Sequence, residues 1–191
     1  GDGDTTEQLP YDLGGDARVV GATVDVGAYE APVDNGASTD ECTPEDTFDP
    51  AACAAVGADD PMTRYVNAAV SAAGDGTSWE TAFSGVQEGI DACRCHALET
   101  GEPCQVWVAQ GTYLTDESDR CDTFWLRPEV EVYGSFAGTE SSLEERVLTA
   151  GDTTLDGGGI AYHVVIGADD ASIDGFTIRG GDADGTHASL Q

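Results

Sequence analysis

The chain has 191 residues, of which 7 are basic and 37 acidic, so its formal net charge at pH 7 is −30. This balance argues against nucleic acid as a partner, because phosphate binding needs a clustered cationic surface, and it favours contact with divalent cations over contact with anionic membranes. The sequence contains no apolar run near the roughly 20 residues that span a bilayer, and no signal-peptide pattern opens it. We expect a processed product, or a piece of a longer chain.

Residues 1–30 are predicted to form short strand pieces separated by glycine turns. Val19, Val20, Val24 and Val26 belong to these pieces, and single or paired glycines stand between them. The segment is too short to be a domain by itself.

Residues 31–61 change in character, because prolines, aspartates and small polar residues replace apolar periodicity. Cys42 and Cys53 lie in this stretch. The pattern indicates a linker or a disulfide-tied loop, and we expect these two cysteines to pair with each other.

A new domain is predicted over residues 62–191, and it begins with a strand near Tyr65 and then a helix. Ser84 with Gln87 three residues later is a capping-box pattern, and Gly101 ends the helix. Such a helix would cover the open end of the first coil of a repeat structure, whose apolar interior would otherwise face water. Its apolar face consists of Val86, Ile90, Cys93 and Ala97.

The other cysteines cluster around this helix. An even number of cysteines in a loop-rich, acidic chain indicates disulfides and an oxidising compartment, secreted or at the cell surface. Cys93 and Cys95 are expected to draw their partners from Cys104 and Cys121. The alternative is a zinc site made of Cys93, Cys95, His96 and Cys104, although its spacing lacks the paired knuckles of common structural zinc sites.

Strand-like runs follow the helix, separated by turns rich in glycine, aspartate and threonine. A phrase of an apolar residue, a variable residue and a glycine recurs at 132–134, 155–157 and 173–175, with spacings of 23 and 18 residues. Repeats near this length predict units that bury their apolar faces by stacking into a solenoid. The predicted strands are 106–108, 124–126, 130–132, 163–166 and 176–178.

Four phrases in this domain, at 74–79, 106–113, 133–140 and 175–181, resemble the opening and a later coil of pectate-lyase-like right-handed parallel β-helices. Residues 12–21 and 24–30 resemble the closing segment of bacterial surface β-helix proteins of the choice-of-anchor Q kind. The resemblance implies an all-β fold, a right-handed parallel β-helix with an N-terminal α-helical cap. It also places the end of one solenoid before the beginning of another.

Two explanations fit this order. The chain is a slice across two tandem β-helix domains, or its first segment completes a neighbouring copy, so that copies join head to tail through their β-edges into a filament.

Acidic residues near the C-terminus are the candidate site, although aspartate is abundant throughout the chain and Asp-Gly also makes turns. Carboxylates beside an arginine on a β-helix face are what calcium-assisted lyases of acidic polysaccharides use, and a carboxylate pair would serve a glycosidase. Alternating oxygens in Asp182-Ala183-Asp184-Gly185 indicate at most weak calcium binding. The catalytic candidates are Asp169, Asp170, Asp174 and Arg179, and the calcium candidates are Asp182 and Asp184.

Aromatic side chains offer a third kind of site. Trp107, Trp125 and Tyr133 would stack on sugars if they face outward, and would pack in the core or cap otherwise. The function expected from the sequence is a non-catalytic extracellular module for adhesion, carbohydrate contact or assembly, whose partner is a polysaccharide or another cell-surface component. Polysaccharide lyase or glycosidase activity, with calcium as the cofactor, is the alternative.

Overall fold

The computed structural model describes residues 48–50, 53, 62–72, 74–149 and 152–183, and the strand assignment of 19–20 and 23–24. The chain divides into two compact units, Gly1–Glu41 and Cys42–Gln191. In the first unit, β1 (Val19–Val20) and β2 (Thr23–Val24) form an antiparallel pair. The strand prediction for Val19, Val20 and Val24 is therefore confirmed, and the rest of residues 1–30 lies outside the described residues.

Helix α1 runs from Val86 to Thr100 and buries the predicted apolar face. It ends as predicted, because Gly101 adopts a left-handed conformation with φ of 74° and donates its N–H to the Ala97 carbonyl. The sequence predicted Ser84 as the N-cap, which is one residue before the observed N-cap. Gly85 is the N-cap, and its backbone N–H donates to the Glu88 carboxylate at 3.0 Å.

Nine strands make up the β-structure described in the second unit, and every pairing between them is parallel. One sheet has the order β10-β7-β4-β3, the second β11-β8-β5, and the third contains β6 and β9. None of the described helices has the length and apolar character to cross a membrane. The strands are β3 (Thr63–Val66), β4 (Cys104–Ala109), β5 (Gly111–Leu114), β6 (Phe124–Trp125), β7 (Val130–Phe136), β8 (Thr153–Ala161), β9 (Val165–Ile166), β10 (Ser172–Asp174) and β11 (Thr177–Gly181).

The chain runs through the three sheets in a fixed order, and each run through the sheets is called a passage here. It passes from β4 in the four-stranded sheet to β5 in the three-stranded sheet and β6 in the two-stranded sheet, and then repeats this path through β7, β8 and β9. A third passage begins with β10 and β11. Each strand therefore pairs with the strand that occupies the same place in the neighbouring passage.

The repeated glycine phrases do not form one stack, which corrects the expectation from their spacing. Val132 pairs with Ile173 in the four-stranded sheet, whereas Leu155 lies in the three-stranded sheet beside Tyr113 and Ile178. The structural repeat is thus a passage through three sheets, and a 20-residue period mixes strands of different sheets.

Close backbone contact explains the glycines in two of these phrases. A Cβ on Gly134 would lie 2.6 Å from the carbonyl oxygen of Gly175, the glycine of the stacked phrase. A Cβ on Gly157 would lie 2.6 Å from the carbonyl oxygen of Gly180. Only glycine allows neighbouring passages to approach this closely.

The apolar core lies between the sheets, and its burial falls toward the last passage. Val106 and Val132, which are partners in the four-stranded sheet, are fully buried. In the three-stranded sheet the aligned residues are Tyr113, Leu155 and Ile178, which are 4%, 1% and 49% exposed. One end of the stack is therefore much less covered than its centre.

The opposite end, at β3, is covered. The segment 74–83 pairs with the outer edge of β3, since Tyr65 donates its N–H to Gly76 and accepts from Phe83, and Asn67 donates to Phe83. Helix α1 packs on the apolar side chains of the same end, where a Cβ on Gly89 would lie 2.7 Å from a methyl group of Val66 and 2.9 Å from one of Val106. The covering role expected for the helix thus agrees with its position.

Two disulfides tie this covered end together, and they correct part of the expected pairing. Cys93 pairs with Cys104 as anticipated, but Cys53 pairs with Cys95 and not with Cys42. Residues two apart on a helix point in nearly opposite directions, so Cys93 faces β4 while Cys95 faces away from it. Cys121 is also disulfide-bonded, and Cys42 lies outside the described residues.

Candidate functional site

Asp174, one of the catalytic candidates, joins two neighbouring passages. Its carboxylate is paired with Arg146, whose guanidinium also donates to the Gly134 carbonyl at 3.2 Å and lies 5.0 Å from the ring centroid of Tyr133. Arg146 therefore bridges β7 and β10 from the outer side of the four-stranded sheet. A carboxylate in this position stabilises the stacking of two strands.

Arg179 makes an equivalent bridge in the three-stranded sheet. Its Nε and Nη2 atoms each lie 2.9 Å from the Asp156 carboxylate, and the two residues are register partners on β11 and β8. Arg179 and Asp174 therefore have different partners in different sheets. The structure does not bring them together as the predicted pair of base and carboxylate.

The other acidic candidates lie in turns. Asp169 and Asp170 are exposed between β9 and β10, and the Asp170 carbonyl accepts the N–H of Glu129. Asp182 uses backbone atoms, donating to Ala161 and accepting from Arg120. Asp184 lies outside the described residues. Among the residues that the structure describes, no group of three or more histidine, cysteine, aspartate or glutamate side chains could hold a metal ion.

The zinc alternative is incompatible with the disulfides. Cys93, Cys95 and Cys104 are all oxidised, and a cysteine binds zinc only as a free thiolate. His96 is buried in helix α1 at 2% exposure. The prediction of disulfides at these cysteines is confirmed.

Trp107 is part of a cluster of four rings and not of an exposed platform. It is 6% exposed and stacks on Phe136 with ring centroids 4.7 Å apart, while Tyr65 meets both Trp107 and Trp79 edge to face. The indole Nε1 of Trp79 donates to the Glu140 carbonyl at 2.9 Å. The cluster packs the loop that begins at Gly74 against the outer side of the four-stranded sheet.

Tyr133 is partly buried beside this cluster. Burial, followed by the nearby Glu131 carboxylate, raises the pKa of Tyr133, and its hydroxyl donates to that carboxylate at 3.1 Å. Gln105 donates to the same carboxylate and accepts from Trp107. These polar groups satisfy one another across the outer side of the four-stranded sheet.

Asp75 organises the loop that covers β3. Its carboxylate accepts hydrogen bonds from the Thr77 hydroxyl, the Thr81 hydroxyl and the Thr77 backbone N–H, which lower the pKa of Asp75 from 3.8 to about 2. Because the folded state holds the ionised form, the stability that Asp75 contributes is present above its unfolded pKa and is lost as the pH falls toward about 2.

We expect Asp75→Asn to destabilise the protein near neutral pH, and the gap from wild type to close between pH 4 and pH 2. The measurement is urea unfolding across this pH range. Glu80→Gln, in the same loop, is the control, because the Glu80 side chain is exposed and makes no hydrogen bond or ion pair with the residues that the structure describes. A gap that is constant with pH, or equal in the control, would contradict the role of the Asp75 carboxylate.

A groove of about 400 Å³ lies beside Trp125, the third aromatic candidate. Gln87 of helix α1 fixes the backbone of Trp125 through two hydrogen bonds, accepting from its N–H at 2.9 Å and donating to its carbonyl at 3.2 Å. Leu98, which is 48% exposed, lines the same groove. The remaining lining residues are Phe48, Pro50, Arg94, Leu126, Arg127, Pro128, Gly167 and Ala168.

Both charged residues in the groove lining are arginines. Arg127, whose side chain is 5% exposed, pairs with Asp91 and lies 5.1 Å and 5.7 Å from the ring centroids of Phe48 and Trp125. Arg94 is 19% exposed and pairs with Glu129 at 2.8 Å. The groove thus combines an apolar lining with two cations in a chain of charge −30.

Of the groove residues, only Trp125 was a candidate from the sequence. Leu98 carried a usable signal, because it is a large apolar residue off the apolar face of the helix. Arg94 and Arg127 could have been noted as two of only seven basic residues. Their convergence depends on the packing of helix α1 against β6, which no local pattern encodes.

Comparisons with known proteins found no matching family model, no matching curated protein and no matching solved structure.

Proposed function

We propose that residues 62–183 form the capped beginning of a right-handed parallel β-helix that serves as a non-catalytic, extracellular structural module. The proposal of this fold rests on the repeated passage through three parallel sheets in one order. Connections between parallel strands are right-handed in about 98% of cases, which supports the hand.

The observation that carries the structural role is the difference between the two ends of the stack. At β3 the backbone edge is paired with residues 74–83 and the apolar interior is covered by helix α1. At the other end, β9, β10 and β11 each pair with one strand only within the described part of the chain, and Ile178 is 49% exposed. A stack closed at one end and open at the other suits a module that extends through further strands.

The disulfides support an extracellular setting. Cys53–Cys95 and Cys93–Cys104 fasten the covered end, and Cys121 is oxidised as well. Such bonds persist mainly in oxidising compartments. The high negative charge supports a solvated, soluble surface in a saline or calcium-rich exterior.

A polysaccharide lyase or glycosidase is the competing function, and the use of Asp174 and Arg179 as bridges between strands weighs against it. The test is incubation of the oxidised protein with polygalacturonate and with a neutral glucan, with and without calcium. Unsaturated products are followed by absorbance and new chain ends by a reducing-sugar assay. We expect no release above the protein-free control.

Steady product release that is lost in Asp174→Asn or Arg179→Gln would overturn the non-catalytic role.

Assembly into a head-to-tail filament is a narrower form of the structural role, favoured by the exposed Ile178. Sedimentation over a range of concentrations tests it, with Ile178→Lys expected to abolish association. Leu148→Lys is the control, since Leu148 is similarly exposed but lies in the loop between β7 and β8, on neither edge strand of the three-stranded sheet. If the wild-type chain stays monomeric at all concentrations, filament assembly is ruled out.

A further inference from the structure

The groove beside Trp125 has the composition of a small-molecule site. Binding pockets of about 300–1,000 Å³ are lined mainly by apolar and aromatic side chains, with a few polar groups that orient the ligand. The volume of about 400 Å³ and a lining of seven apolar side chains, one glycine and two arginines match that description. We propose that this groove binds a small organic monocarboxylate with a flat, apolar body.

Arg94 supplies the group that would hold the carboxylate. Both of its hydrogen bonds to residues that the structure describes use Nη1, one to Glu129 at 2.8 Å and one to the Pro128 carbonyl at 3.1 Å. Its Nε and Nη2 atoms make no hydrogen bond within the described part of the chain, and the side chain is 19% exposed. A guanidinium with one free edge presents two parallel N–H donors to a carboxylate.

The apolar part of the ligand is specified by Trp125 and Leu98. Gln87 holds the backbone of Trp125 through hydrogen bonds to both of its polar groups, and the Arg127 guanidinium lies 5.7 Å from the centroid of the Trp125 ring. Leu98 leaves nearly half of its surface exposed beside it. Covering these two side chains with a flat apolar body removes apolar surface from water at both partners.

Arg127 has a positioning role. It is nearly buried, pairs with Asp91 and lies against the rings of Phe48 and Trp125. It therefore braces the aromatic wall while Asp91 compensates its charge, and Arg94 makes the direct contact.

The charge of the whole chain limits the ligand to a single negative charge. Each negative charge of a polyanion, such as an acidic polysaccharide, would be repelled by the net charge of −30 on the protein. A monocarboxylate has only one charge to be repelled, and the contact with the Arg94 guanidinium attracts that charge. Binding of this kind requires neither assembly nor the absence of catalysis, so its failure would leave the proposed structural role untouched.

The test is isothermal titration calorimetry of the oxidised full chain with phenylacetate at low salt, and with phenylacetamide as the neutral counterpart. We expect saturable binding of phenylacetate and at least tenfold weaker binding of the amide. Arg94→Gln should weaken phenylacetate binding by about ten- to a hundredfold, the usual loss for hydrogen bonds to a charged group. Leu98→Asp should also weaken it, because it places a negative charge in the groove.

Arg179→Gln is the matched control, since it removes the same charge from a site on β11. It should bind phenylacetate as wild type does. In an NMR titration, phenylacetate should shift one indole N–H signal, the one that is missing in Trp125→Phe. The proposal is overturned if wild type shows no saturable binding up to about 10 mM, if the amide binds equally well, or if Arg94→Gln binds as wild type does with unchanged circular dichroism.

Discussion

Replacing both cysteines of one disulfide with alanine should lower the free energy of unfolding by about 3 kcal/mol for Cys93–Cys104 and about 4 kcal/mol for Cys53–Cys95. The sequence separations of 11 and 42 residues set this order, because the longer loop restricts the unfolded chain more strongly. Cys93 and Cys104 are also fully buried, so their loss removes packing in addition. Urea unfolding of each double variant is the measurement.

Reduction provides the control for the disulfide variants. A reducing agent should lower the unfolding midpoint of wild type more than that of either double variant, because each variant has already lost one crosslink. Double variants with the wild-type midpoint would show that the two bonds do not hold the covered end together.

Leu155→Ala should destabilise the protein by about 2–5 kcal/mol, whereas Ile178→Ala should cost about 1 kcal/mol or less. The two residues are register partners on adjacent strands, yet Leu155 is 1% exposed and Ile178 is 49% exposed. Truncating the first leaves a cavity in the centre of the stack, while the second already faces water. Chemical unfolding of both variants measures the difference.

A ratio near one between these two costs would contradict the burial gradient. If both substitutions are severe, the end of the stack is covered in solution. If both are mild, the centre is not packed as described. Far-UV circular dichroism of the folded variants checks that neither substitution changes the β-structure itself.

Local sequence patterns predicted the helix and the strands that depend on the spacing and type of neighbouring residues. Helix α1 has its apolar face and its glycine end where the 3–4 residue spacing and Gly101 place them. Strands β4, β6, β7, β9 and β11 overlap the predicted runs. The valines of β4 and β7 pack in the core, so composition and burial agree in these two strands.

The features that the sequence did not predict depend on contacts between residues far apart in the chain. β8 (Thr153–Ala161) contains three successive glycines that indicate a turn, and Gly157 is required there because the backbone at Gly180 approaches it. The partner of Cys53 was mispredicted because helix geometry, and not proximity in sequence, places Cys95 beside it. The groove was missed for the same reason, since its lining comes from four separate stretches of chain.

Hydrogen exchange at individual backbone amides tests most directly whether the stack is closed at β3 and open at β10 and β11. We expect slow exchange in β4 and β7, and also at Tyr65 and Asn67, whose amides bond to residues of the covering segment. Amides of β10 and β11 should exchange much faster. Protection of β10 and β11 equal to that of β4 and β7, or rapid exchange at Tyr65 and Asn67, would contradict a stack with one closed and one open end.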